Sequence, residues 1–305
     1  MNKPSISVIL PTFNRANTVT NSIDSILNQT FNNLELIIIN DASTDNTKDV
    51  IKAYQKKDSR LVLVQNRKNL GCSLSRNVGL SYAQADTIAF MDDDDQYTDN
   101  ETLNCLYSQM EHECSDLVIA DYKVNGDIYC MKEFSKNFKY SIINRSGPFL
   151  QSTLINKKFI TKIDIPFDIK ATPSEDWDFF ITLSKLNPKV SYCACISFTW
   201  KLNQNSQSMN FYNEANALAY ICDKHYKYMI KTIDKKIMSS HYRRIARVYE
   251  KTNSMNQICQ FYKKAFIEYP FSIKNIFYRF IIMLGFRNMK PLVNWIRQIR
   301  GLSNV

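Results

Sequence analysis

Glycine and histidine are scarce in this chain, whose 305 residues include six glycines and three histidines. No G-x-G-x-x-G segment occurs and no glycine precedes a lysine, so the dinucleotide-binding fingerprint and the P-loop are both excluded. The eight cysteines include no C-x-x-C pair, which argues against a structural zinc site and against a disulfide framework.

Long hydrophobic runs are also missing. No stretch reaches the roughly 18 uninterrupted apolar residues of a membrane span. The N-terminal segment M-N-K-P-S-I-S-V-I-L has one lysine, a short apolar run and no small-residue cleavage site, so it predicts a first strand and not a signal peptide. Together with the unpaired cysteines, these absences favour a reducing, cytoplasmic location.

Short runs rich in valine and isoleucine recur along the first 120 residues, and segments with helical periodicity separate them. The runs cover residues 5–10, 34–40, 61–65, 87–91 and 116–120. This pattern predicts an open, mainly parallel α/β sheet with helices on both faces. Farther along, the sequence predicts a helix over 175–186, a strand over 190–200 and mostly helix beyond Asn210.

Polar residues follow three of the predicted strands, at 11–15, 41–45 and 92–95. Ligands of open parallel sheets bind beyond the carboxyl ends of the strands, so these sets mark a candidate site. We expect Asp45 to cap the next helix. The four consecutive aspartates at 92–95 would repel one another unless a cation neutralised them, and Mg²⁺ or Mn²⁺, which bridges to substrate phosphates, suits such oxygen ligands.

Four segments carry a resemblance to a known family. They read S-V-I-L-P-T-F-N-R, I-I-N-D-A-S-T-D, N-L-G-C-S-L-S-R-N-V-G and F-M-D-D-D-D. In order and spacing they resemble the motifs of family-2 glycosyltransferases with the GT-A fold, and the likeness extends from Ser5 to about Ser208.

The resemblance implies an inverting enzyme of surface-polysaccharide synthesis. It would move a hexose or N-acetylhexosamine from a UDP-sugar to a hydroxyl of a glycan or lipid-linked acceptor. The alternative is a non-catalytic module of the same fold that binds a nucleotide sugar or a glycan. A phosphatase is a weaker alternative. The pattern D-x-D-x-[TV] of haloacid-dehalogenase phosphatases is nearly present at the aspartates, but Gln96 or Tyr97 stands in its final position.

The resemblance also assigns donor-binding residues. The first nucleotide-binding loop would contain Pro11, Thr12, Asn14 and Arg15, and Asp41 would bind the uracil base.

Two further elements complete the implied donor site. Arg76 would reach the nucleotide, although a solvated helix arginine is the competing interpretation. Asp92 would lie near the ribose, Asp94 would hold the metal that binds the diphosphate, and Asp93 occupies the variable position between them.

Catalysis is assigned to a Glu-Asp pair at the start of the predicted helix. Acidic residues in a first turn often serve the helix dipole alone. The resemblance makes Asp176 the base that removes the acceptor proton, with Glu175 orienting acceptor or donor.

Farther on, W-K-L-N-Q-N-S-Q-S resembles the family's Y-R-x-H-x-x-S stretch, with Asn203 where histidine is frequent. Lys201 would then stabilise the leaving diphosphate instead.

The basic residues are concentrated at the C-terminal end of the chain. From Ile221 onward there are 17 Lys and Arg against four Asp and Glu, within a net charge of +10. We therefore expect a catalytic domain over 1–209, with a nucleotide-sugar half over 1–120 and an acceptor half over 121–209, and a basic helical region over 210–305.

This basic region fits an anionic partner. Its charges alternate with apolar residues, which favours the inner face of the cell membrane, contacted through 271–300, over nucleic acid. The spacing of Ile276, Phe280 and Leu284 equally fits a helix that packs on the catalytic domain.

Overall fold

The chain forms two compact units, Met1–Ser206 and Gln207–Val305. The structure is a computed structural model, and it describes residues 3–144, 147, 149–200, 210–252 and 254–283.

The described residues of the first unit form one sheet of eight strands. They are β1 (Ile6–Thr12), β2 (Leu34–Asn40), β3 (Leu61–Gln65), β4 (Thr87–Phe90), β5 (Leu117–Val124), β6 (Asp127–Tyr129), β7 (Thr153–Asn156) and β8 (Val190–Trp200). Their order is β3-β2-β1-β4-β7-β5-β6, and β8 also pairs with β5. Strands β1 to β4 pair in parallel, as do β5 and β8, whereas β7 lies antiparallel to both β4 and β5. The predicted, mainly parallel α/β sheet is confirmed.

Helices cover both faces of this sheet. They are α1 (Val19–Leu27), α2 (Thr47–Gln55), α3 (Cys72–Tyr82), α4 (Thr102–Glu113), α5 (Lys132–Lys136), α6 (Phe138–Asn144), α7 (Lys157–Ile160) and α8 (Glu175–Ser184), with 3-10 turns at Leu150–Ser152 and Ile169–Ala171. On one face, Val8 and Leu10 of β1 share a core with Ile23 of α1. Every residue of β1 is buried, as expected for a central strand covered on both sides.

The opposite face is packed closely by α3. A Cβ atom added at Gly79 would lie 2.4 Å from Cγ2 of Ile9 and 2.8 Å from Cδ1 of Ile39. Only glycine allows the helix backbone to approach the strands this closely. The close packing fixes α3 beside the carboxyl edge of the sheet, and with it Arg76.

The second unit contains four helices within its described residues: α9 (Phe211–Thr232), α10 (Lys235–Glu250), α11 (Met255–Glu268) and α12 (Ile273–Met283). The buried Asn275 of α12 donates hydrogen bonds to the backbone oxygen of Ala265 and to Ser239 Oγ. The ring of Tyr278 stacks on Tyr262 with centroids 4.0 Å apart. These contacts attach α12 to the neighbouring helices.

The other side of α12 is exposed. Ile276 and Phe280, whose spacing fits a packed helix, are 52% and 59% exposed, and Leu284 lies outside the described residues. No helix in the described part of the chain combines the length and apolar character needed to cross a membrane.

Candidate active site

The loops after β1, β2 and β4 meet at the carboxyl edge of the sheet. The backbone N–H of Asn14 donates to Ser43 Oγ at 2.9 Å, and its side-chain Oδ1 accepts from the backbone N–H of Thr44 at 2.8 Å. The backbone N–H of Phe13 donates to Asp93 Oδ2 at 3.3 Å. Asn14 has a φ of 54°, a left-handed conformation that asparagine tolerates better than most residues. The three polar sets found in the sequence are therefore neighbours in space.

The residues of the first loop occupy different environments. Pro11 and Thr12 end β1 and are buried. Proline has no backbone N–H to donate within a sheet. Because β4 pairs with β1 only as far as Ile9, Pro11 interrupts no hydrogen bond between these two strands. Arg15 donates from its backbone to Thr47 Oγ1 at 2.8 Å and from Nε to Asp93 Oδ1 at 3.3 Å. Its side chain thus faces the acidic loop.

Asp45 lies one residue before the N-cap of α2, which is Asn46, but its side chain still binds the start of that helix. Its carboxylate accepts from the backbone N–H of Thr47, at the start of α2, at 3.0 Å. It also accepts from the backbone N–H of Ala16 at 3.2 Å, which ties the first two loops together.

The buried Asp41 organises the segment that precedes α3. Its Oδ1 accepts from Asn66 Nδ2 and from the backbone N–H of Leu70, and its Oδ2 accepts from the backbone N–H of Gly71, each at 2.8 Å. An ionised carboxylate has about four acceptor sites. These three bonds leave one acceptor position on Oδ2 unfilled.

Gln151 joins two of the four aspartates. Its Nε2 donates to Asp92 Oδ2 at 2.8 Å and to Asp95 Oδ2 at 2.7 Å. The residue is buried in the short 3-10 turn before β7. Sequence reasoning missed it, because a single glutamine in a segment without periodicity carries no signal.

The acidic loop carries less negative charge than four ionised aspartates would. Burial raises the pKa of Asp93 to about 6. Burial, with the nearby charges of Asp92 and Asp94, raises the pKa of Asp95 to about 8, which favours its protonated form. Arg15 and Arg76 offset much of the remaining charge. These two features reduce the mutual repulsion from which a cation is expected.

Asp94 and Asp92 have equally exposed side chains, each at 34%, but the carboxylate of Asp92 is already bound by Arg76 and Gln151. The nearest basic group to Asp94 is the Arg15 guanidinium, with NH2 4.0 Å from Oδ2. No three Asp, Glu, His or Cys side chains form a preformed metal cage within the described residues. One accessible carboxylate nevertheless fits an Mg²⁺ or Mn²⁺ ion whose other ligands are substrate phosphates and water.

Arg76 connects the acidic loop to the Glu-Asp pair. Its NH2 lies 2.7 Å from Asp92 Oδ1, and its NH1 lies 2.8 Å from Glu175 Oε1. The arginine side chain is only 6% exposed, so the interpretation as a solvated helix arginine is wrong. Its guanidinium carbon lies 5.5 Å from the ring centroid of Phe167. Asn77, the next residue, exchanges two hydrogen bonds with the backbone of Phe167 and so holds that ring in place.

Glu175 and Asp176 begin α8 in this same cleft. Burial, with the adjacent Glu175, raises the pKa of Asp176 to about 6. The buried Oε2 of Glu175 has no hydrogen-bond partner within the described residues. Buried oxygens are nearly always hydrogen-bonded, so this atom is suited to accept from a ligand hydroxyl. Trp177 belongs to the core, and its indole N–H donates to the backbone oxygen of Ile142 at 2.7 Å.

Lys201, predicted to stabilise the leaving diphosphate, and Asn203, which stands where the family often has histidine, both lie outside the described residues.

Comparison with known proteins identifies the class to which this fold and site belong. The model of glycosyl transferase family 2 matches residues 7–164, which is more than half of the chain. The chain therefore belongs to glycosyl transferase family 2, and the predicted family is confirmed.

Two relatives illustrate the likeness in sequence. The glycosyltransferase GlyG of Streptococcus pneumoniae is 28% identical over 207 residues, which are 59% of this chain and 66% of GlyG. The chain thus spans slightly less than two thirds of that relative. WfgD of Escherichia coli, named as a UDP-Glc:α-D-GlcNAc-diphosphoundecaprenol β-1,3-glucosyltransferase, is 28% identical over 213 residues, which are 68% of this chain and 81% of WfgD.

Two solved structures share the fold. Residues 1–349 of Staphylococcus aureus TarS, in complex with UDP-GlcNAc, superpose with a TM-score of 0.59 at 21% identity over 89% of this chain and 74% of that one. The mannosyltransferase PcManGT of Pyrobaculum calidifontis, in complex with GDP-Man and Mn²⁺, superposes with a TM-score of 0.61 at 13% identity over 97% and 84% of the two chains. The GT-A-type fold is confirmed.

Proposed function

We propose that this protein is an inverting glycosyltransferase that uses a UDP-sugar donor. It transfers a hexose or N-acetylhexosamine to a hydroxyl of a glycan or lipid-linked acceptor in surface-polysaccharide synthesis. The names of WfgD and of the TarS complex support a UDP-linked donor, and the name of WfgD supports a lipid-linked acceptor.

The two ion pairs of Arg76 are the main support for this proposal. The buried Arg76 makes ion pairs with Asp92, in the acidic loop, and with Glu175, beside the candidate base. A single side chain thereby holds the two acidic groups in one cleft. A donor bound at the acidic loop and an acceptor at the start of α8 would be neighbours, and this proximity is what a displacement at the anomeric carbon requires.

The proposed chemistry is a single displacement. The carboxylate of Asp176 accepts the proton of the acceptor hydroxyl as its oxygen bonds to C1 of the sugar, and the bond from C1 to the diphosphate oxygen breaks. A pKa of about 6 leaves Asp176 ionised at neutral pH while making it a stronger base than an ordinary aspartate. The unpartnered Oε2 of Glu175 would accept a hydrogen bond from a sugar hydroxyl and orient it.

The donor side would be held by the remaining residues of the cleft. Asp41 keeps one acceptor site for the base, and Asp94 would contribute a carboxylate to Mg²⁺ or Mn²⁺. That ion supplies electrostatic stabilisation of the diphosphate. Arg15, beside Asp94, would neutralise a phosphate that approaches the same loop.

The test is incubation of the full chain with a panel of nucleotide sugars, Mn²⁺ and candidate acceptors, with release of nucleoside diphosphate as the readout. We expect release from at least one UDP-sugar. Tight binding of a UDP-sugar without release under any condition would instead favour a non-catalytic module that binds nucleotide sugars.

We also propose that α12 brings the enzyme to an anionic membrane surface. Large apolar side chains project from this helix and the turn before it: Phe271, Ile273, Ile276, Phe280 and Met283 are all exposed. Lys274 and Arg279 accompany them, and no acidic residue follows Glu268. Such a mixture is typical of an interfacial helix, and each basic residue near an anionic surface contributes about 1 kcal/mol.

Liposome sedimentation of the full chain tests this surface. We expect binding that needs anionic lipid, weakens with salt and is lost when Ile276 and Phe280 are both changed to serine. Ile165→Ser, which removes an isoleucine of similar exposure from the first unit, serves as the control. Removal of α12 is the poorer experiment because it would uncover Tyr262. Equal binding by the double variant and the wild type would refute the proposal.

A further inference from the structure

Cys193 and Cys195 lie in β8 with one residue between them, at the point where the pairing of β8 with β5 is interrupted. Cys193 pairs with Ala120, but the residue of β8 that pairs with Asp121 is Ile196. The extra residues between them form a bulge, which bends the strand locally. The sulfurs of Cys193 and Cys195 lie 3.5 Å apart, and both are free thiols.

The two thiols differ in environment. Cys193 is buried, whereas Cys195 is half-buried. The hydrogen bond between them lowers the pKa of Cys193 and raises the pKa of Cys195. The hydrogen bond between the two sulfurs thus favours a thiolate at one of them with a thiol directly beside it. An ionisable cysteine next to a second thiol is the arrangement of peroxide-sensitive sites.

We propose that Cys193 and Cys195 form a peroxide-sensitive modification site that closes to an intrachain disulfide. The half-buried Cys195 gives peroxide access to the pair. The thiolate of one cysteine attacks one peroxide oxygen, so that an S–O bond forms, the O–O bond breaks and hydroxide leaves. The sulfur of the other cysteine then attacks the sulfenic acid, so that the S–S bond forms, the S–O bond breaks and water leaves. Overall, two thiols are oxidised and one peroxide is reduced to two waters.

The site is linked to the acidic loop through the strand that carries it. Two residues after Cys195, the backbone oxygen of Ser197 accepts from the backbone N–H of Thr98 at 2.9 Å. The next residue, Phe198, forms a β-bridge with Tyr97. A disulfide at the bulge would therefore displace the segment that follows Asp95. This consequence for turnover rests on the proposed function, whereas the modification itself does not.

The experiment treats the full chain with one equivalent of hydrogen peroxide, alkylates the remaining thiols and maps the cysteines by mass spectrometry. We expect a disulfide between Cys193 and Cys195 that dithiothreitol reverses. In Cys195→Ser, dimedone should trap a sulfenic acid on Cys193 and no disulfide should form there. Cys105→Ser is the matched control, because this exposed cysteine interacts electrostatically with both thiols and its loss should leave the disulfide unchanged.

Alkylation of both Cys193 and Cys195 after peroxide treatment would overturn the proposal, as would a disulfide from either of them to Cys105. In the oxidised wild type we expect severalfold slower release of nucleoside diphosphate, restored by dithiothreitol and absent in Cys195→Ser. A full rate with the disulfide present would refute the link to the acidic loop. Absence of turnover before oxidation would count against the proposed function and leave the disulfide result standing.

Discussion

Replacement of Asp176 by asparagine separates catalysis from binding in this cleft. Burial raises the pKa of Asp176 to about 6, so the wild-type carboxylate is about 90% ionised at pH 7 and about 10% ionised at pH 5. If ionised Asp176 is the base, kcat should fall roughly tenfold between these two values. In Asp176→Asn, kcat should fall by about a hundredfold or more and lose this pH dependence, because general-base catalysis contributes about 10²–10⁴.

The same pKa predicts the stability of the variant. The folded-state pKa lies above the unfolded value of about 3.9, so ionisation of Asp176 destabilises the fold as pH rises from about 4 to about 6. A neutral asparagine removes that penalty, and the melting temperature at pH 7 should not decrease.

The assay measures initial rates of nucleoside diphosphate release from pH 5 to 8, with calorimetric titration of UDP alongside. Asp49→Asn is the matched control, because it removes an exposed carboxylate from the first turn of α2 and should change neither rate nor pH profile. If Asp176→Asn kept the wild-type rate, or lost UDP affinity in proportion to its rate, the assignment of Asp176 as base would be refuted.

Three further variants test the donor side of the cleft. Asp94→Ala should abolish activity, as should excess EDTA on the wild type, since an uncompensated diphosphate raises the barrier by several kcal/mol. Full activity with EDTA would contradict this prediction. Asp127→Ala, which removes an exposed aspartate, is the control. Asp41→Ala should weaken UDP binding in calorimetry with kcat less affected, and Asp41→Asn, which preserves the shape, should bind better; unchanged affinity in both would remove Asp41 from the site. Gln151→Leu should weaken Mn²⁺-dependent UDP binding about tenfold and lower the melting temperature, because a buried acceptor loses its partner at a cost of about 1–3 kcal/mol. Gln151→Asn should recover part of the binding and part of the stability. Wild-type binding by Gln151→Leu would refute the role of Gln151.

The sheet was predictable where each strand is a continuous apolar run. Strands β1 and β2 are buried along their whole length, so their sequences contain little else but apolar residues. Strands β6 and β7 are three and four residues long, too short to show a period, and neither was predicted. Yet β7 lies between β4 and β5, so the strand order could not be obtained from the sequence.

The candidate site, like the sheet, could be predicted from the sequence only in part. The residues after β1, β2 and β4 could be found because a parallel sheet brings the ends of its strands to one edge. The contacts of Arg76 could not, since its partners lie 16 and 99 residues away along the chain. Nor could the charge of the acidic loop be read from four aspartates. It depends on the burial of Asp95, which raises the pKa of that residue to about 8.

The most direct test of the central claim is the stereochemistry of donor cleavage, which can be followed before the acceptor is known. With water in place of the acceptor, an α-linked UDP-sugar should first give the free sugar in its β form, observed by proton NMR before mutarotation. Asp176→Asn should slow this reaction by about a hundredfold. First appearance of the α form, or equal rates for the variant and the wild type, would contradict an inverting displacement that depends on Asp176.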